Sequence, residues 1–550
     1  MSNFEPSSSQ DWYMLVEFQL DSVTLRYTSE FLVLDDATVW TGWLRSMTEL
    51  RRSLGSILDP RIISPRMSIT LDNANSQATD ILDAYDFANR TVVIKAGYGT
   101  AAANYENIFT GVVHFPGGVA WDERTLTVEI DSTIITDDRV IPINRFFPSA
   151  YPNVEEKSKF LAIPLVYGDW RTTAGGGEQV TCFQTDSTAG TGGEFTIADH
   201  ALKEIEVVYL DGVDITANCT LDAANAQFTI TSGTYDPLLQ TVTACVQGAT
   251  DDGTTSGTMI ITIPDIVSDI LQTHLSVAAG SIDSAAFTAW GSELSADDDG
   301  RRVIDSERSA FGIITEALID GFADMTIIDG KYFPLFRLVD VASAIPSYYD
   351  FDIEEADDNV KMFGVIKDPE RVFANQIVAD YRYNPSGAEF AQRYDVEDSG
   401  SIATYATRRR RRLTMEFLYK TTGAEARADR EKFVFGLENE SIKVTLRSVA
   451  LQKEPTDQFR LVYSKYDLGG EIGAPFQIRD SLTNFKRNTI TVTAWNMTQL
   501  TPGRWTDDSI PSWLLSSSFE RVSSGYWTDA SGYADTTGTP DEASKRSSWF

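Results

Sequence analysis

The stretch Thr125-Leu-Thr-Val-Glu-Ile-Asp131 alternates apolar and polar side chains at every step. Successive side chains on a strand point to opposite faces, so Leu126, Val128 and Ile130 share one face while Thr125, Thr127 and Glu129 share the other. This is the pattern of a strand with one buried and one wet face. The same period runs outward from it. Pro65-Arg-Met-Ser-Ile-Thr-Leu71 and Arg90-Thr-Val-Val-Ile-Lys95 lie before it, and Asn488-Thr-Ile-Thr-Val-Thr-Ala-Trp495 repeats it far along the chain. Lys203 to Leu210, then Asp211-Gly212, then Val213 to Thr216 predicts a hairpin, because Asp-Gly supplies the left-handed residues of a tight primed turn. Thr, Val, Ile and aromatics recur throughout, as a pleated surface prefers. The chain reads as mainly β with a few helices.

Three helices are legible. Pro264-Asp265 opens a short one, with Asp265 as its cap and Ile266, Ile270 and Leu271 on one side. A second runs from about Asp305 to Gly321, with Phe311, Ile314, Leu318 and Phe322 at helical spacing. It leads into Met325 to Phe336, two strands joined at Asp329-Gly330. The third spans about Ala424 to Phe435 and is rich in Ala, Glu, Arg and Lys.

At 550 residues the chain exceeds one ordinary core, so several domains are expected. Hydrophobic residues at 42% supply packed cores, and only 23% charged residues argues against general disorder. The formal net charge of −34 repels nucleic acid and anionic membrane over most of the surface. It also keeps a concentrated assembly subunit soluble, although a halophilic source leaves the same signature. Cys182, Cys219 and Cys245 are odd in number with no CxxC spacing, so they read as free thiols in a reducing compartment rather than a disulfide framework or zinc site. The first residues lack the basic and apolar segments of a secretory signal, and no run of about 18 apolar residues occurs. The expectation is a soluble chain made in a cytoplasm, without stable membrane insertion.

Catalytic signatures are sparse. His114, His200 and His274 fall on different elements, none beside a GxSxG or HExxH arrangement, and each reads as a structural histidine. The 80 Asp and Glu residues make carboxylate pairs unavoidable, so a two-carboxylate glycosidase stays open. Asp297-Asp298-Asp299-Gly300 superficially matches an EF-hand loop, but Gly300 at loop position six puts Ser295 and Ser306 where the motif needs Asp and Glu. It reads as a solvated acidic loop. No cofactor or metal site is read.

Arg408, Arg409, Arg410, Arg411 and Arg412 form a basic run in an acidic chain. On a strand, alternate arginines project from opposite faces, one set to solvent or a lumen and the other to a neighbour. Three readings follow: a charge-paired surface strand, a salt-bridge seam between subunits, or contact with DNA phosphates. The guanidinium fork suits carboxylates, which abound here.

Composition divides the chain into residues 1–150, a β domain; 151–300, an inserted β-rich domain with Gly/Thr loops near 171–193 and 248–258; 301–345, a helix plus hairpin; 346–502, a second large β domain; and 503–550, an extended arm. The arm lacks a sustained apolar period and cannot form a core alone. Its aromatics Trp505, Trp513, Trp527, Trp549 and Phe550 are expected to order it by docking on neighbours.

Several segments, in order, resemble the tail-tip or baseplate hub proteins of long-tailed bacteriophages. Arg66 to Asn73, Asn89 to Gly99, Ile108-Phe-Thr-Gly-Val-Val113 and the strand ending Ile130-Asp-Ser132 resemble that family's first tube-like β domain. Lys159-Phe-Leu-Ala-Ile-Pro-Leu-Val-Tyr-Gly168 is similar to a segment common in tail-tip proteins, and Asp305 to Phe336 to a helix-plus-hairpin of the hubs. Asn375 to Tyr381, a tyrosine-containing link at Ser401 to Tyr405, the arginine run, the Ala424 helix and the last strands resemble a second tube-like domain. The region of about 170–260 and the arm beyond 503 depart from the family. The resemblance implies two tail-tube-like β-barrel or sandwich domains per subunit, arranged in a homotrimer as a pseudo-sixfold ring. It also implies a place in the virion, at the distal tip of the tail. The partners would be distal tail and tail-tube proteins, the tape-measure protein, and tail fibres or a spike, with DNA met only in passage during ejection. Two other readings are a tail-borne polysaccharide hydrolase using a carboxylate pair, and a carbohydrate-binding adhesin.

Overall fold

The computed structural model describes residues 12–54, 60, 62, 65–132, 139–172, 178–236, 239–294, 296–337, 347–348, 355–356, 359–360, 362–367, 372–436, 440–447, 454–462, 474–485, 489–497, 504–505, 524–528 and 546–549. The chain is mainly β and divides among several sheets around separate hydrophobic cores.

Strand Thr125–Asp131 lies in an eight-stranded sheet whose main path runs Thr24–Tyr27, Trp12–Gln19, Thr91–Tyr98, Glu106–Val113, Thr125–Asp131, Arg66–Asp72 and Leu44–Met47. Leu126, Val128 and Ile130 face a core with Ile69, Leu71 and Ile94, as the alternation requires. The two ends of this path approach through a few backbone bonds: Thr28 donates to Thr41 and accepts from Leu44, each at 2.9 Å, and Thr41 donates to Arg26 at 3.0 Å. The sheet therefore curls without closing into a barrel.

The next strand in sequence, Leu50–Ser53, leaves that sheet. It pairs antiparallel with Ala474–Asn484, Ser53 opposite Asp480 and Leu50 opposite Thr483. Its host is a seven-stranded sheet that also contains Ser347–Tyr348, Gln458–Leu461, Thr489–Asn496, Glu440–Arg447 and Met362–Lys367. One short ribbon thus places Leu44–Met47 in one sheet and Leu50–Ser53 in another.

Between residues 180 and 247, two four-stranded sheets enclose a core in which Phe195 and Phe228 stack at 5.3 Å. Strands Val180–Thr181 and Phe183–Asp186 fall where Gly-rich composition suggested only loop; Val180 reaches this core, while Phe183 packs against Phe146 in a small neighbouring cluster. The largest core gathers helices Ile263–Asp269, Ala310–Asp320 and Thr421–Phe435 with the Ala323–Ile328 and Lys331–Phe336 hairpin. Both Asp-Gly turns form as read: Asp211 and Gly212, and Asp329 and Gly330, all have positive φ.

Helix boundaries needed correction. The helix expected from Asp305 starts at Ala310, because Arg308–Ser309 is drawn into a strand pair with Val140–Ile141 and the Ser309 hydroxyl caps the Gly312 N–H at 2.9 Å. The helix expected to be capped by Asp265 is capped by Thr262, and Asp265 occupies the first turn. Helices Gln77–Ala84, Ser284–Glu293 and Ser399–Tyr405 were not anticipated. The last replaces the expected link, with Asp398 accepting from Ser401 N–H at its start.

Beyond residue 503, Arg504–Trp505, Ser524–Thr528 and Arg546–Trp549 pair as a three-stranded sheet, where only an extended arm was expected. Trp505, Trp527 and Trp549 lie on these strands, while Trp513 and Phe550 lie outside the described residues.

Candidate assembly surfaces

Strand Gln376–Asn384 lies between Glu389–Glu397, its antiparallel partner, and Arg410–Thr414, its parallel partner. The arginine run enters this three-stranded sheet along one edge. Arg411 and Leu413 turn inward, while Arg410, Arg412 and Thr414 are exposed. The inward and outward alternation expected of a strand is realised.

Each arginine has a distinct role. Arg411 lies 2.5 Å from Glu431 beneath helix Thr421–Phe435, with its guanidinium 5.0 Å from the Phe435 ring centroid. Arg412 Nε donates to Asp380, and Arg408 pairs with Glu397 at 2.8 Å. Arg409 is held by its backbone: its N–H donates to Asn375 Oδ1 at 2.8 Å, and its carbonyl accepts from the Asn375 N–H at 3.0 Å. Arg409 and Arg410 side chains are exposed and have no ion pair among the described residues.

The arginines stand at the rim of a buried ionic network that the sequence reading missed. Glu431 is fully buried and also meets Arg427 at 2.6 Å. Burial works to raise its carboxyl, but Arg427, Arg411 and Arg337 together hold it below the usual range. Asp324, on the hairpin, meets Arg337 at 3.0 Å and Arg479, on the C-terminal sheet, at 2.6 Å. Here too burial is outweighed by the two guanidinium groups, and the carboxyl is held low. Glu178 receives Arg301 at 2.7 Å and Arg382 at 2.5 Å, joining the inserted sheets to the loop before Arg302–Ile304 and to the central strand. The Arg301 guanidinium lies 4.4 Å from the ring centroids of both Trp170 and Tyr419. Arg382 reaches Glu178 because its own φ of 62° breaks the strand's alternation. For Asp324 the sequence signal was a charged residue inside the apolar run Ala323–Ile328, whereas Glu178 and Glu431 carry no such signal.

The acidic loop at Asp297 to Asp299 is exposed at Asp297 but not at Asp298 and Asp299, where a solvated loop was expected throughout. Asp298 is buried against Arg430 at 3.1 Å, and Asp299 meets Lys420 at 2.8 Å. Helix Thr421–Phe435 packs against it so closely that a Cβ on Gly423 would lie 2.1 Å from the Asp297 carbonyl. Among the described residues, no group of three or more His, Cys, Asp or Glu is placed to hold a metal ion.

The histidines occupy three unrelated settings. His200 Nε2 accepts the Val166 N–H at 2.9 Å and Nδ1 faces the Ala201 carbonyl at 3.0 Å, the pattern of a neutral ring; burial pushes its pKa down. His274 lies 3.2 Å from the Tyr167 hydroxyl, and burial pushes its pKa down as well. His114 contacts Asp131 at 2.5 Å on the wall of an open groove of about 510 Å³, lined by Asp83, Tyr85, Phe115 and Trp121 among others. Among the described residues, no helix is long and apolar enough to cross a membrane.

No family model and no curated protein matches the chain. Solved structures do resemble it in outline. The tail protein from Neisseria meningitidis MC58 aligns over 89% of this chain and 98% of its own, at 8% identity and a TM-score of 0.41. The 43 kDa tail protein of prophage MuSo2 from Shewanella oneidensis aligns over 88% and 98%, at 9% identity and 0.37. A chain of the native gene transfer agent virion covers 61% of this chain and 84% of its own, at 10% identity and 0.41. Every one of these TM-scores is below 0.5, so the likeness alone assigns nothing to this chain.

Proposed function

We propose that the chain is a structural, non-enzymatic subunit of a phage tail. In this reading it is a homotrimeric hub at the distal tip, joining tail tube and tape-measure protein to fibres or a spike and lining part of the DNA ejection path. The observation that carries the reading is the strand Leu50–Ser53 laid into the C-terminal sheet, so that two sheet-rich halves share backbone hydrogen bonds. A hub that transmits force needs its modules to move as one body. Buried ion pairs reinforce this coupling: Asp324 with Arg479 ties the hairpin to the C-terminal sheet, and Glu178 with Arg382 ties in the inserted sheets. Such pairs add little net stability over apolar packing, yet removing one partner costs about 3–5 kcal/mol, so they penalise misalignment.

The order of motifs from Arg66 to Asn496 supports the same reading, as does the acidic surface, which suits brief passage of DNA better than its retention. In this account Arg409 and Arg410, exposed and without an ion pair among the described residues, are available for a subunit or lumen contact, and the arm beyond 503 docks on neighbours through its aromatics. The test is placement in the particle. Antibody raised against the purified chain should label virions at the tail tip. Labelling of the head, or of no part of the particle, would overturn the proposal.

A further inference from the structure

The exposed face of the three-stranded sheet holds an unusual arrangement. Asp380, with only 4% of its side chain exposed, receives Arg393 Nε at 2.7 Å from one neighbouring strand and Arg412 Nε from the other. Both arginine side chains are more than half exposed, at 57% and 62%. One carboxylate therefore pins two guanidinium groups by their Nε atoms. Neither arginine's Nη groups have a partner among the described residues, so the outer edges of both forks are presented to solvent. The other charges on this face are Asp395, which accepts from Gln376 and lies near Arg393; Glu397 with Arg408; and exposed Arg409 and Arg410. Burial works to raise the Asp380 carboxyl, but the hydrogen bonds from Arg393 and Arg412 outweigh it and keep it ionised below the usual range.

Two guanidinium forks held from behind form a seat for an oxyanion, since the planar Nη edges match a carboxylate or phosphate. The net charge of −34 opposes nucleic acid and a second copy alike, so local complementarity decides between these ligands. The chain itself carries a complementary face. Helix Gln77–Ala84 exposes Asp80 and Asp83 one turn apart, and Asp86 follows just past its end; Asp80 and Asp83 have no ion pair among the described residues. Beside them lies the groove with exposed Phe115 and Trp121, an apolar surface that an interface would cover. A basic face on a sheet and an acidic face on a helix of one chain make a heterologous contact, which gives a ring where its rotation closes.

We propose that Arg393 and Arg412, pinned by Asp380, seat the Asp80 and Asp83 carboxylates of a second copy of this chain. The inference deepens the trimer reading and rests on it.

The test is sedimentation of the purified full chain with three variants, their folding checked by circular dichroism. Wild type should sediment as a trimer that dissociates as sodium chloride is raised from 0.1 to 1 M (roughly a threefold fall in Debye length). Asp80→Lys with Asp83→Lys, at exposed positions that leave folding untouched, should be monomeric. So should Arg393→Glu with Arg412→Glu, and combining all four substitutions should restore the trimer. Should the Arg393→Glu, Arg412→Glu protein fail to fold, the Asp80→Lys, Asp83→Lys protein and the salt series decide. Trimers that survive either pair of reversals, or monomers that the fourfold variant does not restore, overturn this inference and leave the hub reading standing. A monomeric wild type overturns both. Salt-sensitive binding of a duplex DNA oligonucleotide that is lost with Arg393 and Arg412 would also overturn it, in favour of a phosphate ligand.

Discussion

Replacing Asp324 with Asn should destabilise the chain more than any surface substitution. Asp324 is fully buried and serves two arginines, Arg337 and Arg479, whose side chains are 2% and 6% exposed. An amide keeps the shape but removes the charge, leaving two buried guanidinium groups facing each other across a neutral group. Breaking a buried ion pair in this way costs about 3–5 kcal/mol. That is a large share of the roughly 5–15 kcal/mol typical of a folded domain. Urea unfolding followed by circular dichroism is a suitable assay, since the cost is read as a fall in the stability of the whole fold. The pH dependence has a definite sign. The folded Asp324 carboxyl is held below its ordinary value, so its contribution is present above the unfolded pKa of about 4 and is lost as pH falls through the folded value. Wild type should therefore lose stability below about pH 4, and the Asn variant should be flatter there. If Asp324→Asn unfolds within about 1 kcal/mol of wild type at pH 7, the ionic clasp does not hold the hairpin to the C-terminal sheet as argued.

Asp320 behaves oppositely: burial pushes its pKa up to about 8, with the Phe417 N–H only partly offsetting that, so stability should decline as pH rises from about 4 through 8 and Asp320→Asn should abolish this decline in a urea series. Ser309→Ala removes the cap from helix Ala310–Asp320 and should cost about 1 kcal/mol in the same assay. Burial raises all three thiols, Cys219 and Cys245 to about 11, so iodoacetamide at pH 7.5 should leave the native chain almost unlabelled by mass spectrometry and label three sites in urea. Gly423→Ala forces a side chain against the Asp297 carbonyl and should cost about 1–3 kcal/mol, read as lowered hydrogen-exchange protection across helix Thr421–Phe435.

The strands were legible because their signal is local. Thr125 to Asp131 and the two Asp-Gly turns carry period and turn chemistry within a few residues, and both appear where they were read. What failed was whatever depended on distant partners. Ser309 looks like part of a helical run until Val140–Ile141 captures Arg308–Ser309 as a strand. The Asp297 to Asp299 loop looks solvated until Lys420 and Arg430 arrive from more than a hundred residues away. The arginine run shows the division most clearly: its alternation was predictable from the strand period, whereas the choice of Glu431, Asp380 and Glu397 as partners was not. Arg393 could not be singled out, because nothing near it in sequence marks it as Asp380's second ligand.

Rotational symmetry is the most direct test of the account. Electron microscopy of the purified full chain should yield a particle of three copies around a central channel, with the sheet bearing Thr125–Asp131 and the sheet bearing Ala474–Asn484 alternating around the ring at six similar positions. A lone copy, or a ring in which those two sheets occupy unrelated positions, would contradict it.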